Sequence, residues 1–269
     1  MTPRGFLGIV WRFSNGGNSL TDPYADIRPF NDAEVPAVLA RLLRDRELLG
    51  TLASHGVSGL AARIPALARL LVRLRLGREL RGVNDVHGLQ MVIKTYVERM
   101  IADTTGGFSV SGLDKLDPEQ AYLFMSNHRD IAMDPAFTNY ALHRAGHQTL
   151  RIAIGDNLLT KPWVSDLMRV NKSFLVKRSL SGPRELLSAS KTLANYIQHS
   201  VLEDNVPIWI AQREGRAKDG LDRTEPAVIK MIGMSRDKKG GQDFGEHIAS
   251  LRIVPVAISY ELDPCDALK

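Results

Sequence analysis

One histidine and two carboxylates stand where a predicted strand meets a predicted helix. The apolar run Tyr122–Met125 is typical of a buried strand, and His128, Asp130 and Asp134 follow it. Asp134 and Pro135 then open an apolar-periodic stretch, with Asp as N-cap and Pro at the first helical position. A neutral imidazole can take a proton from a hydroxyl, while a carboxylate on its other nitrogen fixes the tautomer. This junction therefore offers general-base chemistry on a substrate hydroxyl, although a plain loop with a helix cap fits the same residues.

The spacing bears on which carboxylate faces the imidazole. Six positions along one continuous helix correspond to about 240° of net rotation, so His128 and Asp134 would not share a face. They can meet only if the chain from Arg129 to Met133 is partly loop, which a helix start at Asp134 and Pro135 allows. We predict Asp134 as the partner of His128, and Asp130 remains the alternative.

Three further apolar, strand-like runs follow in order. Ser173–Val176 ends at two basic residues, Ile208–Ala211 leads into a charged loop with a glycine, and Ile253–Ile258 closes the series. The polar and glycine residues after the first two runs are Lys177, Arg178, Arg213, Glu214, Gly215 and Arg216. Arginine can give a phosphate two parallel hydrogen bonds, so these strand ends are candidate anion sites.

These four segments resemble the motifs of the glycerolipid acyltransferases, the family of glycerol-3-phosphate and lysophosphatidate acyltransferases. Asn127, His128 and Asp134 resemble its first motif, an Asn-His pair followed by an Asp. The run Glu214–Arg216 is similar to its third, Glu-Gly-Thr-Arg. Four partial motifs in the right order are more specific than any one. Two departures stand out: Asp134 leaves five residues after His128 where the family usually leaves four, and the third motif is one residue short.

The resemblance implies transfer of a fatty acyl group from a thioester to a hydroxyl of glycerol 3-phosphate or a lysophospholipid. His128 would then deprotonate the hydroxyl and Asp134 would hold His128. The residues expected to bind the substrate are Asn127, Lys177, Arg178, Glu214, Gly215 and Arg216. The donor would be acyl-coenzyme A or an acylated acyl carrier protein, used as a co-substrate, and no cofactor is expected. A non-catalytic lipid-binding protein of the same fold is the alternative.

The charge and composition of the chain limit the classes of molecule that it is expected to bind. The net charge of +5 indicates an anionic partner, which can be phosphate, anionic lipid or nucleic acid. Nucleic acid is disfavoured because the chain lacks basic residues interleaved with aromatic ones and any recognition module. No His-x-x-x-His or Cys-x-x-Cys spacing occurs, so we predict no bound metal. A single cysteine, Cys265, excludes an internal disulfide and suits a reducing compartment.

The elements that must position these residues fall into two predicted domains. Residues 1–104 predict a helical N-terminal domain with a loosely ordered lead-in. Residues 105–269 alternate strands and helices, which predicts an α/β domain with a mixed, mainly parallel sheet flanked by helices. The predicted strands are 108–110, 122–125, 150–154, a strand around Phe174, 206–211 and 252–259. Trp209 is expected in the core, and 237–245 as a surface loop.

An arginine-rich helix is predicted from Leu60 to Leu80. Its apolar stripe is Leu67, Leu70, Leu71 and Leu74. Such a helix can lie on an anionic membrane surface, or it can pack on the protein with its arginines in water; both interpretations stay open. No apolar run approaches the roughly 20 residues that span a bilayer. We expect a cytoplasmic protein that is peripheral on the inner face of the membrane.

Overall fold

The computed structural model describes residues 22–56, 58, 63–217, 221 and 223–262, and its fold is α/β. The strands in these ranges are β1 (Leu123–Ser126), β2 (Arg151–Gly155), β3 (Ser173–Val176), β4 (Ile208–Ala211) and β5 (Ile253–Val256). The α-helices are α1 (Val35–Leu42), α2 (Arg46–Gly56), α3 (Pro65–Glu79), α4 (Val86–Thr104), α5 (Met133–Arg144), α6 (Pro162–Val170), α7 (Pro183–Leu202), α8 (Pro226–Ile232) and α9 (Phe244–Ser250).

The five strands form one sheet in the order β3-β2-β4-β1-β5. Every pairing between these strands is parallel, so the α/β prediction is confirmed and the sheet that the structure describes is wholly parallel. Leu123 of β1 lies opposite Ile208 of β4 on one side and Ile253 of β5 on the other. Parallel strands end at one edge, so the polar residues after β1, β3 and β4 share that edge.

Both faces of the sheet are covered, which explains why its strands are continuous apolar runs. Leu123, Met125 and Ile208 pack in one core cluster with residues of α7 and α8. Phe124 and Trp209, each one position along its strand, pack in another cluster on the opposite face. This alternation follows from the two-residue period of a strand.

The amino-terminal helices pack against the sheet region through α1. Val35, Val38, Leu39 and Leu42 of this helix share a core cluster with Val170 of α6. The guanidinium of Arg41 forms two 2.9 Å hydrogen bonds with the carboxylate of Asp166. Before α1, Ile27 is buried and its carbonyl accepts a 2.8 Å hydrogen bond from the Leu175 amide of β3. The division into two domains at residue 104 stays a prediction.

Helix α3 is the arginine-rich helix of the sequence, and most of it is exposed. Ala68 is the one buried residue of the helix, while Leu67, Leu70, Leu71 and Leu74 are 39–49% exposed. The predicted start at Leu60 lies outside the described residues. None of the helices described combines the length and the apolar character needed to cross a bilayer.

One strand prediction is wrong, and one loop prediction is two residues too long. Residues 108–110 form no strand; the Phe108 ring instead lies 5.5 Å from the Phe137 ring and 5.6 Å from the Tyr140 ring, centroid to centroid. The predicted surface loop at 237–245 ends inside α9, which begins at Phe244 after Asp243 caps it with a 2.7 Å hydrogen bond from the Gly245 amide. Residues 1–21 and Cys265 lie outside the described ranges.

Strands β3 and β5 each begin directly after a non-glycine residue with a positive φ, Lys172 (63°) and Arg252 (48°). Side chains other than glycine adopt this region at a cost. The ammonium of Lys172 donates to the carbonyl and hydroxyl oxygens of Thr149. Burial, helped by the nearby positive charge of Arg151, lowers the pKa of Lys172 to about 8.

Candidate active site

His128 and Asp134 meet across the loop that joins β1 to α5. Nδ1 of His128 lies 3.0 Å from Oδ2 of Asp134, whose side chain is completely buried. The contact is possible because residues 127–132 are not helical and α5 starts only at Met133. The two side chains therefore need not share a helix face, and the loop that the spacing required is present.

Asp130 has a different surrounding. Its Oδ1 accepts hydrogen bonds from the amides of Ala132 (2.9 Å) and Met133 (2.8 Å), at the start of α5. The sequence assigned that capping position to Asp134, and this prediction is wrong: Asp134 is the second residue of α5 and turns its carboxylate back to His128. The backbone amides at a helix start need an acceptor, and Asp130 supplies it.

The carboxylate of Asp134 is fully hydrogen-bonded. Oδ2 also accepts from the amides of Arg129 (2.7 Å) and Asp130 (3.0 Å), and Oδ1 accepts from the hydroxyl of Tyr260 (2.7 Å). An ionised carboxylate only accepts hydrogen bonds, so Nδ1 of His128 carries the hydrogen and Nε2 carries the lone pair. The imidazole is thus held in the tautomer whose Nε2 can act as a base.

The side chain of Asn127 forms hydrogen bonds with the backbone beyond β5. Its Nδ2 donates to the carbonyl of Ile258 and its Oδ1 accepts from the amide of Ile258, both at 2.8 Å. We call this pair of hydrogen bonds the Asn127–Ile258 clamp. It joins the first-motif loop to the chain just past β5.

A cavity of about 1120 Å³ opens beside His128. Of the residues predicted for the site, those that line it are His128, Lys177, Arg178, Glu214, Gly215 and Arg216. In the part of the chain that is described, Asn127, Asp130 and Asp134 are not among its walls. The structure thus places His128 and the predicted cations on the wall of one cavity. The two carboxylates and Asn127 do not line that cavity.

The third-motif loop is joined to the histidine loop by backbone hydrogen bonds. The Gln212 amide donates to the Ser126 carbonyl, and the Ala217 amide donates to the His128 carbonyl, both at 2.8 Å. Between them Gly215 has a φ of 72°, which a residue with a side chain would adopt only at a cost. These constraints hold Arg216 at the cavity wall next to the loop of His128.

The three cations predicted for substrate binding differ in their partners, and Lys94 and Arg213 line the cavity as well. Nη1 of Arg178 lies 3.0 Å from Oε1 of Glu214, and Nζ of Lys177 lies 3.5 Å from Oδ2 of Asp26. Among the described residues, Arg216 has no ion-pair or hydrogen-bond partner for its side chain. Glu214 is 72% exposed, so its pair with Arg178 is a surface pair that contributes about 0–1 kcal/mol and can open for a ligand.

Most of the remaining cavity wall is apolar. The apolar side chains come from several elements, namely Met91, Val97, Ile154, Val164, Met168, Leu186, Leu193 and Met231. Helix α4, which belongs to the predicted amino-terminal domain, supplies the first two. The cavity therefore combines a cationic, hydrogen-bonding side at the sheet edge with an apolar side among the helices.

Two aromatic residues support the histidine and its partner. Trp209 is 3% exposed, as its position in an apolar strand predicts, and its ring stands edge-on to the imidazole at 5.8 Å between centroids. Tyr260 binds Asp134 from beyond β5 and was missed by the sequence reasoning. No local pattern marks it, because the two residues are 126 positions apart in the chain.

A family model described as Acyltransferase matches residues 107–259, more than half of the chain. The matched range contains all five strands of the sheet and each of the four motif segments. No curated protein matches the chain.

Proposed function

Because the chain belongs to the acyltransferase family, that of the glycerolipid acyltransferases, we propose that it moves a fatty acyl group from an acyl thioester to a hydroxyl of glycerol 3-phosphate or of a lysophospholipid. Such a reaction is a step of phospholipid biosynthesis. The observation that carries the proposal is the buried carboxylate of Asp134, which holds His128 beside a cavity with cationic and apolar sides.

His128 is the general base of the proposed reaction. Its Nε2 takes the proton of the acceptor hydroxyl while the oxygen attacks the thioester carbonyl carbon. The carbon–sulfur bond then breaks, and the leaving thiolate takes the proton from the imidazolium. Asp134 stabilises the imidazolium while it exists. An ester and a free thiol result, so neither an acyl-enzyme nor a cofactor is needed.

The phosphate of the acceptor is bound by Arg216 together with Arg178 and Lys177. Arg216 is ready for this role because no described side chain neutralises it. Arg178 can leave Glu214 at little cost because that pair is exposed. Two planar guanidinium groups fix the orientation of a phosphate better than point charges do.

The fatty acyl chain lies along the apolar wall. Small-molecule pockets usually measure roughly 300–1,000 Å³, so a cavity of about 1120 Å³ has room for parts of both substrates. The donor is acyl-coenzyme A or an acylated acyl carrier protein, which makes the carrier protein a candidate partner. We also propose that the protein acts in the cytoplasm, at the inner face of an anionic membrane, with α3 against the lipid surface.

The test is an acceptor panel with one acyl-thioester donor, in which release of the free thiol is followed. We expect thiol release with glycerol 3-phosphate or a lysophospholipid, and a loss of at least about 100-fold in His128→Ala. Arg216→Ala should raise the KM for a phosphorylated acceptor roughly tenfold, about 1.4 kcal/mol, and change that for a monoacylglycerol much less. Arg216→Lys keeps the charge but loses the planar fork, and should also be impaired.

Arg44→Ala is the matched control, since Arg44 is an exposed arginine between α1 and α2. It should leave both acceptors unaffected. Equal losses on the two acceptors in Arg216→Ala would make Arg216 structural. Thiol release with none of the acceptors by the wild-type protein would reject the proposed substrates, and near-normal turnover by folded His128→Ala would reject the mechanism.

A further inference from the structure

The segment that follows β5 runs alongside the loop of His128. Strands β1 and β5 are paired in parallel, and the Asn127 amide continues this pairing with a 3.3 Å hydrogen bond to the Val256 carbonyl. The Asn127–Ile258 clamp then extends the contact past the last residue of both strands. The position of residues 257–260 is therefore set by the first-motif loop.

Tyr260 stands two residues beyond the clamp. Its hydroxyl donates to Oδ1 of Asp134 at 2.7 Å, and its ring lies 6.0 Å from that of Phe137 in α5, centroid to centroid. Among the described residues it is the one donor to Oδ1, whereas Oδ2 has three donors, from His128, Arg129 and Asp130. The hydroxyl thus limits rotation of the carboxylate whose other oxygen holds the imidazole.

We propose that Tyr260 is a positioning residue for the His128–Asp134 pair and that the Asn127–Ile258 clamp holds it next to Asp134. The inference rests on the proposed function, in which His128 is the base. Tyr260 is absent from the described cavity wall, and the described contact that links it to His128 is its hydrogen bond to Asp134. The family match ends at residue 259, one position before this tyrosine.

Removal of the hydroxyl leaves Oδ1 of a completely buried carboxylate without its one donor from the described residues. A hydrogen bond to a charged group contributes more than one between neutral groups, and its loss leaves the buried acceptor unsatisfied. The carboxylate can then turn within its contact with Nδ1 and misalign the imidazole. It also keeps more of its negative charge, which favours the imidazolium over the neutral imidazole that a base must be.

The first experiment compares Tyr260→Phe with Tyr122→Phe. Tyr122 is a matched control because its hydroxyl is also hydrogen-bonded, accepting from the Asp117 amide at 2.9 Å, but this contact lies ahead of β1 and away from Asp134. We expect Tyr260→Phe to lower kcat roughly tenfold and to leave the acceptor KM within about twofold. The acid limb of its pH–rate profile should move to higher pH. Tyr122→Phe should show none of these changes.

A double-mutant cycle tests the clamp. If Asn127 acts by delivering Tyr260, the change Tyr260→Phe should reduce kcat much less in an Asn127→Ala background than in the wild type, because the hydroxyl is already misplaced. If the loss of kcat in the double variant equals the product of the losses in the two single variants, the proposed role of the clamp is wrong. Thermal unfolding of all four proteins identifies any variant that is not folded at the assay temperature.

A spectroscopic readout separates this inference from the proposed function. The Nδ1 proton of His128 should give a low-field proton NMR signal, identified by its disappearance in His128→Ala. We expect the signal to shift in Tyr260→Phe and to stay in place in Tyr122→Phe. If the wild type transfers acyl groups to no acceptor, the proposed function fails and this signal alone decides on Tyr260. An unmoved signal in folded Tyr260→Phe would overturn the inference.

Discussion

Asp130 and Asp134 are both buried and lie four positions apart, yet their carboxylates accept hydrogen bonds from different partners. Asp134 accepts from His128, from two backbone amides and from Tyr260, whereas Asp130 accepts from the first amides of α5. The two residues thus combine support of an imidazole with capping of the helix that carries it. A substitution at either position should expose this difference.

Asp134→Asn should lower kcat by roughly 100-fold or more, and Asp130→Asn by only a few-fold. An amide at position 134 can donate to Nδ1 and select the wrong tautomer of His128. An amide at position 130 keeps an oxygen for the helix amides, because Asn caps helices about as well as Asp. Steady-state kinetics of both variants decides the matter. A larger loss in Asp130→Asn would contradict this assignment of the two carboxylates.

Lys172 gives the stability a pH dependence whose sign follows from its lowered pKa. Folding lowers the pKa of its ammonium from 10.5 to about 8, through burial and the charge of Arg151. Between these values the unfolded chain binds a proton that the folded chain has released, so this residue makes stability rise with pH from about 8 to 10.5. In chemical denaturation across this range, the free energy of unfolding of the wild type should rise with pH relative to that of Lys172→Met. Parallel pH dependences of the two proteins would contradict the prediction.

The sequence predicted the parts of the site that lie close together in the chain. The spacing of His128 and Asp134, read with the following proline, required a loop between them, and that loop exists. The partner of Asn127 is 131 positions away and Tyr260 is 126 positions from Asp134. Contacts at such separations depend on how β5 packs beside β1, which no local pattern of residue types encodes.

At the scale of elements, the sequence located all five strands to within a few residues. It could not give their order, because apolar strands of four or five residues carry little information about their neighbours. The false strand at 108–110 has a physical reason: an aromatic residue favours strands, but the Phe108 ring is used in an aromatic contact with α5. Tertiary packing outweighed local propensity there.

Helix α3 carries the element-scale prediction on membrane binding. Its exposed leucines form one stripe, and the exposed Arg73 and Arg75 flank it. Binding to vesicles that contain anionic lipid should weaken as salt rises, because exposed charges are screened within about 10 Å at 0.1 M. Cosedimentation at several salt concentrations measures this, for the wild type and for Leu70→Ser with Leu71→Ser, which should bind less.

A charge control accompanies the vesicle experiment. Arg73→Gln with Arg78→Gln should reduce binding to anionic vesicles, while the matched pair Arg44→Gln with Arg46→Gln, exposed arginines outside α3, should not. Equal binding to neutral and anionic vesicles, or none to either, would reject α3 as a membrane surface.

At the scale of the whole molecule, the cavity draws its walls from most of the described chain. Met91 of α4 and Met231 of α8 both line it, although they are far apart in sequence. Motif reasoning found Lys177, Arg178 and Arg216 because each of them follows a strand end. It could not find the apolar side, because leucines and methionines on a helix predict that a face is buried but do not identify the surface or cavity that this face meets.

The strand order also has a consequence for how the chain folds. Ile152 of β2 pairs with Ser173 of β3 across about 20 residues, whereas Leu123 of β1 pairs with Ile208 of β4 across about 85. Closing the longer loop costs roughly 1.2 kcal/mol more. The neighbours of β1 are β4 and β5, so the strand that leads to His128 can pair only after the late part of the chain has joined the sheet.

In refolding followed by pulsed hydrogen exchange, the β2 and β3 amides should become protected before those of β1, and simultaneous protection would contradict this order. Chains halted before Ile208 would then hold a paired β2 and β3, while β1, which leads to His128, would still lack both of its neighbours.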